Sequence, residues 1–181
     1  GYQFARNTLQ LNQGDGTFSE IGLLAGVAAT DWSWSSLFAD FDLDGKKDIF
    51  IANGIKRRSN DLDYINFITY DSIQKIVNQK MSEKDLELIN LMPQIKVPNY
   101  LYANNGDSTF SNKSKEWGLD KISYSNGAAY ADLDNDGDLD LVINNVDDEA
   151  FLYENKTIQK GKTDGNHFLK VKLWGKVGNR Y

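Results

Sequence analysis

The sequence predicts an all-β fold with a helical insertion, assembled as partial blades of a β-propeller. Three observations predict it: a long internal repeat, short strand-like runs separated by Gly-Asp turns, and a central segment that breaks both patterns. The chain has 181 residues, 40% of them hydrophobic and 12% aromatic. That is enough apolar material for a packed core, and it excludes disorder of the whole chain.

The repeat comes first because it organises everything else. Asn7, Leu9, Asn12, Gly14, Asp15, Thr17, Phe18 and Ser19 recur as Asn99, Leu101, Asn104, Gly106, Asp107, Thr109, Phe110 and Ser111, an offset of 92 residues. The same offset pairs Ala39 with Ala131, Asp40 with Asp132, Asp48 with Asp140, Ile51 with Ile143 and Asn53 with Asn145. A third copy starts at Phe151, where Leu152, Tyr153 and Asn155 echo Leu101, Tyr102 and Asn104. The units are residues 1–58, residues 99–157 with the start of the next blade, and residues 158–181 as a linker into a further domain.

Within each unit the runs are short and strand-like. Leu9 to Leu11 and Thr17 to Ser19 flank a Gly-Asp-Gly turn and predict a hairpin. Leu37 to Ala39 enters an Asp-rich loop, and the apolar run Asp48 to Ala52 leaves it. Residues 128–131 and 140–143 repeat that arrangement. A unit of about 50 residues with four short strands has the size of one propeller blade, and the repeats are expected to straddle the blades.

Residues 59–98 interrupt the repeat. Ile65, Ile68, Ile73, Ile76 and Val77 have approximately helical spacing, and Ser82 with Asp85 resembles a capping box for a helix through Leu86, Ile89 and Met92. Pro93 and Pro98 close the segment. It is expected to be a two-helix insertion that covers a sheet edge or offers a surface to a partner.

The net charge is −6, and the acidity is concentrated in two loops, outside which acids and bases nearly balance. Lys56, Arg57 and Arg58 are too few for the basic stripe of a nucleic-acid binder. With no cysteine there is no disulfide, thiolate ligand or thiol nucleophile. The longest apolar stretch, Gly22 to Ala29, falls far short of the about 20 residues of a bilayer span.

The two loops carry the chemistry. Asp40, Asp42, Asp44 and Asp48 stand in the pattern D-x-D-x-D-G-x-x-D, and Asp132, Asp134, Asp136 and Asp140 repeat it. Four carboxylates in nine residues repel one another unless a cation neutralises them, and a dense set of hard oxygens suits calcium better than magnesium. Two calcium ions are expected, one per loop. Positions 1, 3, 5 and 9 supply carboxylates, and Gly45 or Gly137 at position 6 allows the turn. Position 7 is Lys46 in one loop and Asp138 in the other; a Lys side chain cannot coordinate a cation, so that position is expected to give its backbone carbonyl and the Asp138 side chain to be dispensable. An EF-hand needs a Glu at position 12, where Ile51 and Ile143 stand, and both loops run into strands. The metal-free alternative is a pair of Asx turns.

The Asp loop entering a strand, the hairpin Asn-x-Gly-Asp-x-Thr-Phe and the period together resemble the FG-GAP or VCBS-type repeats that build seven-bladed β-propellers, including the integrin α-subunit head. Ala52-Asn53-Gly54 and Asn144-Asn145-Val146 stand where the integrin form has Gly-Ala-Pro, a departure from integrin-like ligand recognition. Asp31-Trp32-Ser33-Trp34-Ser35, with Asn166, His167, Trp174 and Gly178-Asn179-Arg180, is similar to bacterial surface proteins that join such repeats to an ASPIC/UnbV domain. Seven blades need about 350 residues, so the resemblance implies that this chain supplies two to three. On that resemblance the remaining blades are expected from the parent chain or from associated subunits.

The function expected is a calcium-stabilised binding or scaffolding module of a secreted or cell-surface protein, the bacterial outer-membrane surface and the periplasm included, with a protein or glycan partner. Weak calcium loops fill at extracellular concentrations and stay mostly empty in a resting cytosol. The single histidine, His167, has no nucleophile pattern around it, so no catalysis is expected. The alternatives are an extracellular enzyme with its substrate in the propeller funnel and an RNA-binding role implied only by the ASPIC/UnbV name. Trp32 and Trp34, two apart on a strand, face one side. They either pack against a neighbouring blade or form an aromatic platform for a sugar or peptide.

Overall fold

The computed structural model describes residues 6–58 and 90–158, with Leu62, Asn66, Leu169 and Val171. The strands among them are β1 (Gln10–Asn12), β2 (Phe18–Glu20), β3 (Ser33–Ala39), β4 (Asp48–Asn53), β5 (Val97–Pro98), β6 (Tyr100–Asn104), β7 (Phe110–Asn112), β8 (Ile122–Ser123), β9 (Ser125–Ala131), β10 (Asp140–Asn145) and β11 (Phe151–Tyr153). All pair antiparallel. The largest sheet has the order β3-β4-β6-β7, a second has β11-β10-β9, and β1-β2 and β5-β8 are two-stranded ribbons.

The four-stranded sheet draws β3 and β4 from the first repeat and β6 and β7 from the second, so the repeats straddle the sheets. The 92-residue offset superposes β3 on β9, β4 on β10, and the β1-β2 hairpin on β6-β7. The described residues thus contain one four-stranded sheet, three strands of the next, and an outer hairpin of the one before. These strands close no ring among themselves.

Strand β4 sits at the centre of the packing, with all six residues buried. A strand buried on both faces reads as a continuous apolar run, and its side chains alternate between the faces. Phe50 and Ala52 join Ala39, Phe41, Leu101, Leu141, Ile143 and Phe151 in a core shared with the three-stranded sheet. Ile49 and Ile51 point the other way, into a second core with Ala25, Val27 and Tyr102 that the β1-β2 hairpin covers through Leu9 and Ile21.

The hairpin turns are held by their own polar side chains. Asn12 Oδ1 accepts the Gly14 N–H at 2.8 Å, and Asp15 Oδ1 accepts from Thr17 N at 2.9 Å and Thr17 Oγ1 at 2.6 Å. Asn104, Gly106, Asp107 and Thr109 repeat these bonds at 2.9, 3.0 and 2.5 Å. These are the Asx-type turns that place Asn, Asp and Thr at such positions. The strands begin one residue later than the apolar pattern suggests, at Gln10 and Phe18.

The helical insertion is not supported by the described residues, which are almost wholly strand and turn. Most of residues 59–98 lies outside them; Leu62, Asn66 and Asn90 are the helical residues described there, too few to make up the two expected helices. Where the segment is described again its end is extended: Val97 and Pro98 pair with Ser123 and Ile122. Pro98 tolerates this place because a short ribbon leaves its missing N–H without a required partner.

Candidate metal centre

The first Asp loop joins β3 to β4 and the second joins β9 to β10, so each crosses the same end of an inner hairpin. Its path is set by two residues in left-handed conformation. Leu43 and Asn135 at position 4 have φ of 58° and 65°, and Gly45 and Gly137 at position 6 have 87° and 102°. The loop folds over its own carboxylates. Asp40 accepts the N–H groups of Asp44 at 3.0 Å and Gly45 at 2.9 Å, and Asp42 accepts from Asp44 at 3.2 Å. In the second loop Asp134 accepts from Asp136 N at 3.2 Å and Asp136 from Asp138 N at 3.1 Å.

Position 9 fastens the loop to the sheet. Asp48, 1% exposed, accepts the N–H of Phe41 at 2.9 Å and of Asn104 at 3.0 Å. Asp140 does the same with Leu133 at 2.8 Å and Asn155 at 2.9 Å. Burial pushes the Asp48 carboxyl up to about 6, against the pull of its two N–H donors, with the charges of Asp42 and Asp40 adding to the rise. Asp42 is also raised, by burial first and then by the charge of Asp44.

Two groups of carboxylates have oxygens within 4.8 Å of one another: Asp40, Asp42 and Asp48 in the first loop, and Asp132, Asp134 and Asp136 in the second. Position 5 therefore behaves differently in the two loops. Asp44 turns to Lys46, whose Nζ lies 2.6 Å from Asp44 Oδ2. Its counterpart Asp136 stays in the acidic group, with Oδ2 buried and no hydrogen-bond partner among the described residues. Burial pushes the Asp44 carboxyl up, but the Lys46 bonds outweigh it and hold it below the ordinary value.

Asp138 is no solvent-facing bystander. Its side chain is fully buried, Oδ2 accepts the Ile158 N–H at 3.2 Å, and Oδ1 has no hydrogen-bond partner among the described residues. Burial first, and then the adjoining Asp136 carboxyl, push this carboxyl up to about 6. Buried carboxylate oxygens without donors cost free energy unless a cation or proton meets them. The donor set is all oxygen and fits a hard cation; the spacing that made Asp138 equivalent to the exposed Lys46 could not reveal this burial.

The sequence reading missed a polar network at the other end of the strands. Asn99 Nδ2 donates to Ser125 Oγ at 2.9 Å, and Ser125 Oγ donates to Asn145 Oδ1 at 2.8 Å, all three buried. Ser33 Oγ lies 3.0 Å from Asn7 Oδ1 and 3.2 Å from Asn53 Oδ1, the same trio 92 residues earlier. The signal was present as matched Asn and Ser positions. Beside it, Trp32 and Trp34 are 42% and 54% exposed with ring centroids 6.4 Å apart, and Trp34 Nε1 donates to Gly54 O at 2.7 Å. Trp34 borders a cleft of about 400 Å³ with Ile55, Lys56, Arg57 and Asn126. His167 lies outside the described residues.

The family model of the FG-GAP-like repeat matches residues 2–51 and 85–143, more than half of the chain. The chain belongs to the FG-GAP-like repeat family. Both matched FG-GAP segments end at equivalent residues, Ile51 in β4 and Ile143 in β10, so each contains one complete Asp loop and the first four residues of the strand leaving it. The Asn166 to Arg180 stretch lies beyond both segments. No curated protein matches the chain.

Proposed function

We propose that this FG-GAP-like chain is a non-enzymatic interaction module of β-propeller type, stiffened by two calcium ions and working outside the cytosol. The observation that carries the reading is the pair of carboxylate groups at equivalent ends of β3-β4 and β9-β10, with buried, unpartnered oxygens on Asp136 and Asp138. Asp40, Asp42 and Asp48 would hold one ion; Asp132, Asp134 and Asp136 would hold the other. Calcium supplies charge neutralisation there, and two ions would bring the formal charge from −6 to about −2. The protein's own part is to hold each loop closed through the position 9 carboxylate.

The partner reading, a protein or glycan, rests on the exposed Trp32 and Trp34 beside the cleft. Adjacent exposed indoles are the usual means of gripping a sugar face or an apolar peptide side chain. Cell-surface or periplasmic display of the bacterial kind, with the remaining blades from the parent chain or associated subunits, belongs to the same reading and follows from a calcium requirement.

Thermal melts of chelator-treated protein with and without added calcium test the ion. A saturating ion at about 100 times its Kd stabilises by about 2.7 kcal/mol per site, which should appear as a rise in Tm of several degrees. No heat of binding and no Tm shift in millimolar calcium would overturn the reading.

A further inference from the structure

We propose that the two loops are unequal cation sites, the second filling first, and that Lys46 is a tethered counter-ion that the first loop must give up to bind. The inference rests on the calcium reading above and adds an order of occupancy to it. Asp44 and Asp136 occupy the same position of the same motif, yet only Asp136 joins the carboxylates of its loop. Asp44 is bound by the Lys46 ammonium at 2.6 Å and by the Lys46 N–H at 2.8 Å.

Lys46 is held in that place. Its stem crosses the hairpin turn at Gly106, where an added Cβ would lie 2.9 Å from Lys46 Cε. Gly106 therefore leaves the room that the lysine fills. In the second loop the corresponding residue is Asp138, which is fully buried with Oδ1 unpartnered beside Asp136. The unsatisfied oxygen calls for a cation or a proton, and no lysine is bonded to it among the described residues.

The charge difference acts in the same direction. Residues 40–48 hold four Asp and two Lys, a net −2, whereas residues 132–140 hold five Asp and no base, a net −5. Three unit charges within about 8 Å of a divalent ion, in water and partly screened, change affinity by about ten- to a hundredfold. Affinity in calcium loops is tuned by this kind of ligand charge count. The backbone adds to it, because the first loop holds Leu43 in left-handed conformation where the second has Asn135, a residue that adopts it more readily.

Calorimetric calcium titration of the full chain tests the order. Wild type should bind two ions with affinities about ten- to a hundredfold apart; Asp134→Asn should remove the tight phase and Asp42→Asn the weak one. Lys46→Gln, at an exposed position that does not endanger folding, should tighten the weak phase about three- to tenfold and leave the tight phase in place. Two equal phases, loss of the tight phase in Asp42→Asn, or an unchanged weak phase in Lys46→Gln would overturn the proposal while leaving calcium binding standing. Absence of any binding by wild type would overturn both.

Discussion

The Asp48 carboxylate accepts the backbone N–H of Asn104 at 3.0 Å, bridging 56 positions of sequence. Through this bond the acidic loop of one inner hairpin is tied to the turn of the next outer one. Asn104 returns the contact: its Nδ2 donates to Lys47 O at 3.0 Å and its Oδ1 accepts the Gly106 N–H at 2.9 Å. A loop crowded with like charges is thus clamped from outside, in a shape that its own repulsion would otherwise open.

Asn104→Ala should therefore loosen the loop without touching a carboxylate. Two side-chain hydrogen bonds are lost, each worth about 1 kcal/mol, so urea denaturation should show a loss of about 1–2 kcal/mol. Asn104→Asp should cost more, because a negative charge would face the acidic group. Equal stability of all three proteins would show that the clamp is incidental.

How far the sequence disclosed this arrangement depends on the kind of feature. Ile49 to Ala52 and Leu141 to Ile143 were legible as strands because burial on one or both faces imposes a composition. The Asp loops were legible because the spacing of their carboxylates is a local property of the chain. By contrast, β5 and β8 are two residues each and impose no pattern. The turning of Asp44 toward Lys46 and the burial of Asp138 are choices of side-chain direction among groups of similar spacing. Tertiary neighbours such as Gly106 and Ile158 make those choices. The Asn99, Ser125 and Asn145 network was visible only as repeated letters, since its members lie 26 and 20 residues apart.

The raised carboxyl of Asp48 gives the metal-free protein a definite pH dependence. Its native value of about 6 lies above the ordinary 3.8, so between these values the native state binds more protons than the unfolded one. The stability it contributes is full below about pH 4 and is lost as the pH rises through about 6, amounting to about 3 kcal/mol if fully expressed. In chelator, Asp48 should make unfolding free energy fall from pH 4 to pH 7, and Asp48→Asn should flatten that part of the profile. A profile identical in the two proteins would place the titration elsewhere.

Leu43 is a leucine in left-handed conformation, at φ 58°, where the second loop has an asparagine. Left-handed backbone costs an ordinary residue about 1–2 kcal/mol, and Asn less because its short polar side chain bonds locally. Leu43→Asn should thus raise stability by about 0.5–1 kcal/mol in chelator. Leu43→Val, β-branched and worse suited to that conformation, should lower it by a comparable amount. The half-buried leucine loses some apolar contact in either variant, so opposite signs for the two are the diagnostic result.

Substitution at Asp138 separates what its buried carboxylate does for stability from what it would do for the proposed ion. Its carboxyl is fully buried, raised to about 6 chiefly by that burial, and bound on one side to Ile158 N–H. Asp138→Asn can keep the bond to Ile158 through its amide oxygen while removing the charge that burial disfavours. In chelator at pH 7 the variant should be more stable than wild type, by about 1–3 kcal/mol. In calcium the order should reverse if, as proposed, the lost charge belongs to a cation-binding loop, and titration should show affinity for the second site reduced severalfold. Asp136→Asn should weaken binding further, since Asp136 lies within the carboxylate group itself. If Asp138→Asn binds calcium like wild type, position 7 contributes through its backbone alone and the buried carboxylate serves only to anchor Ile158.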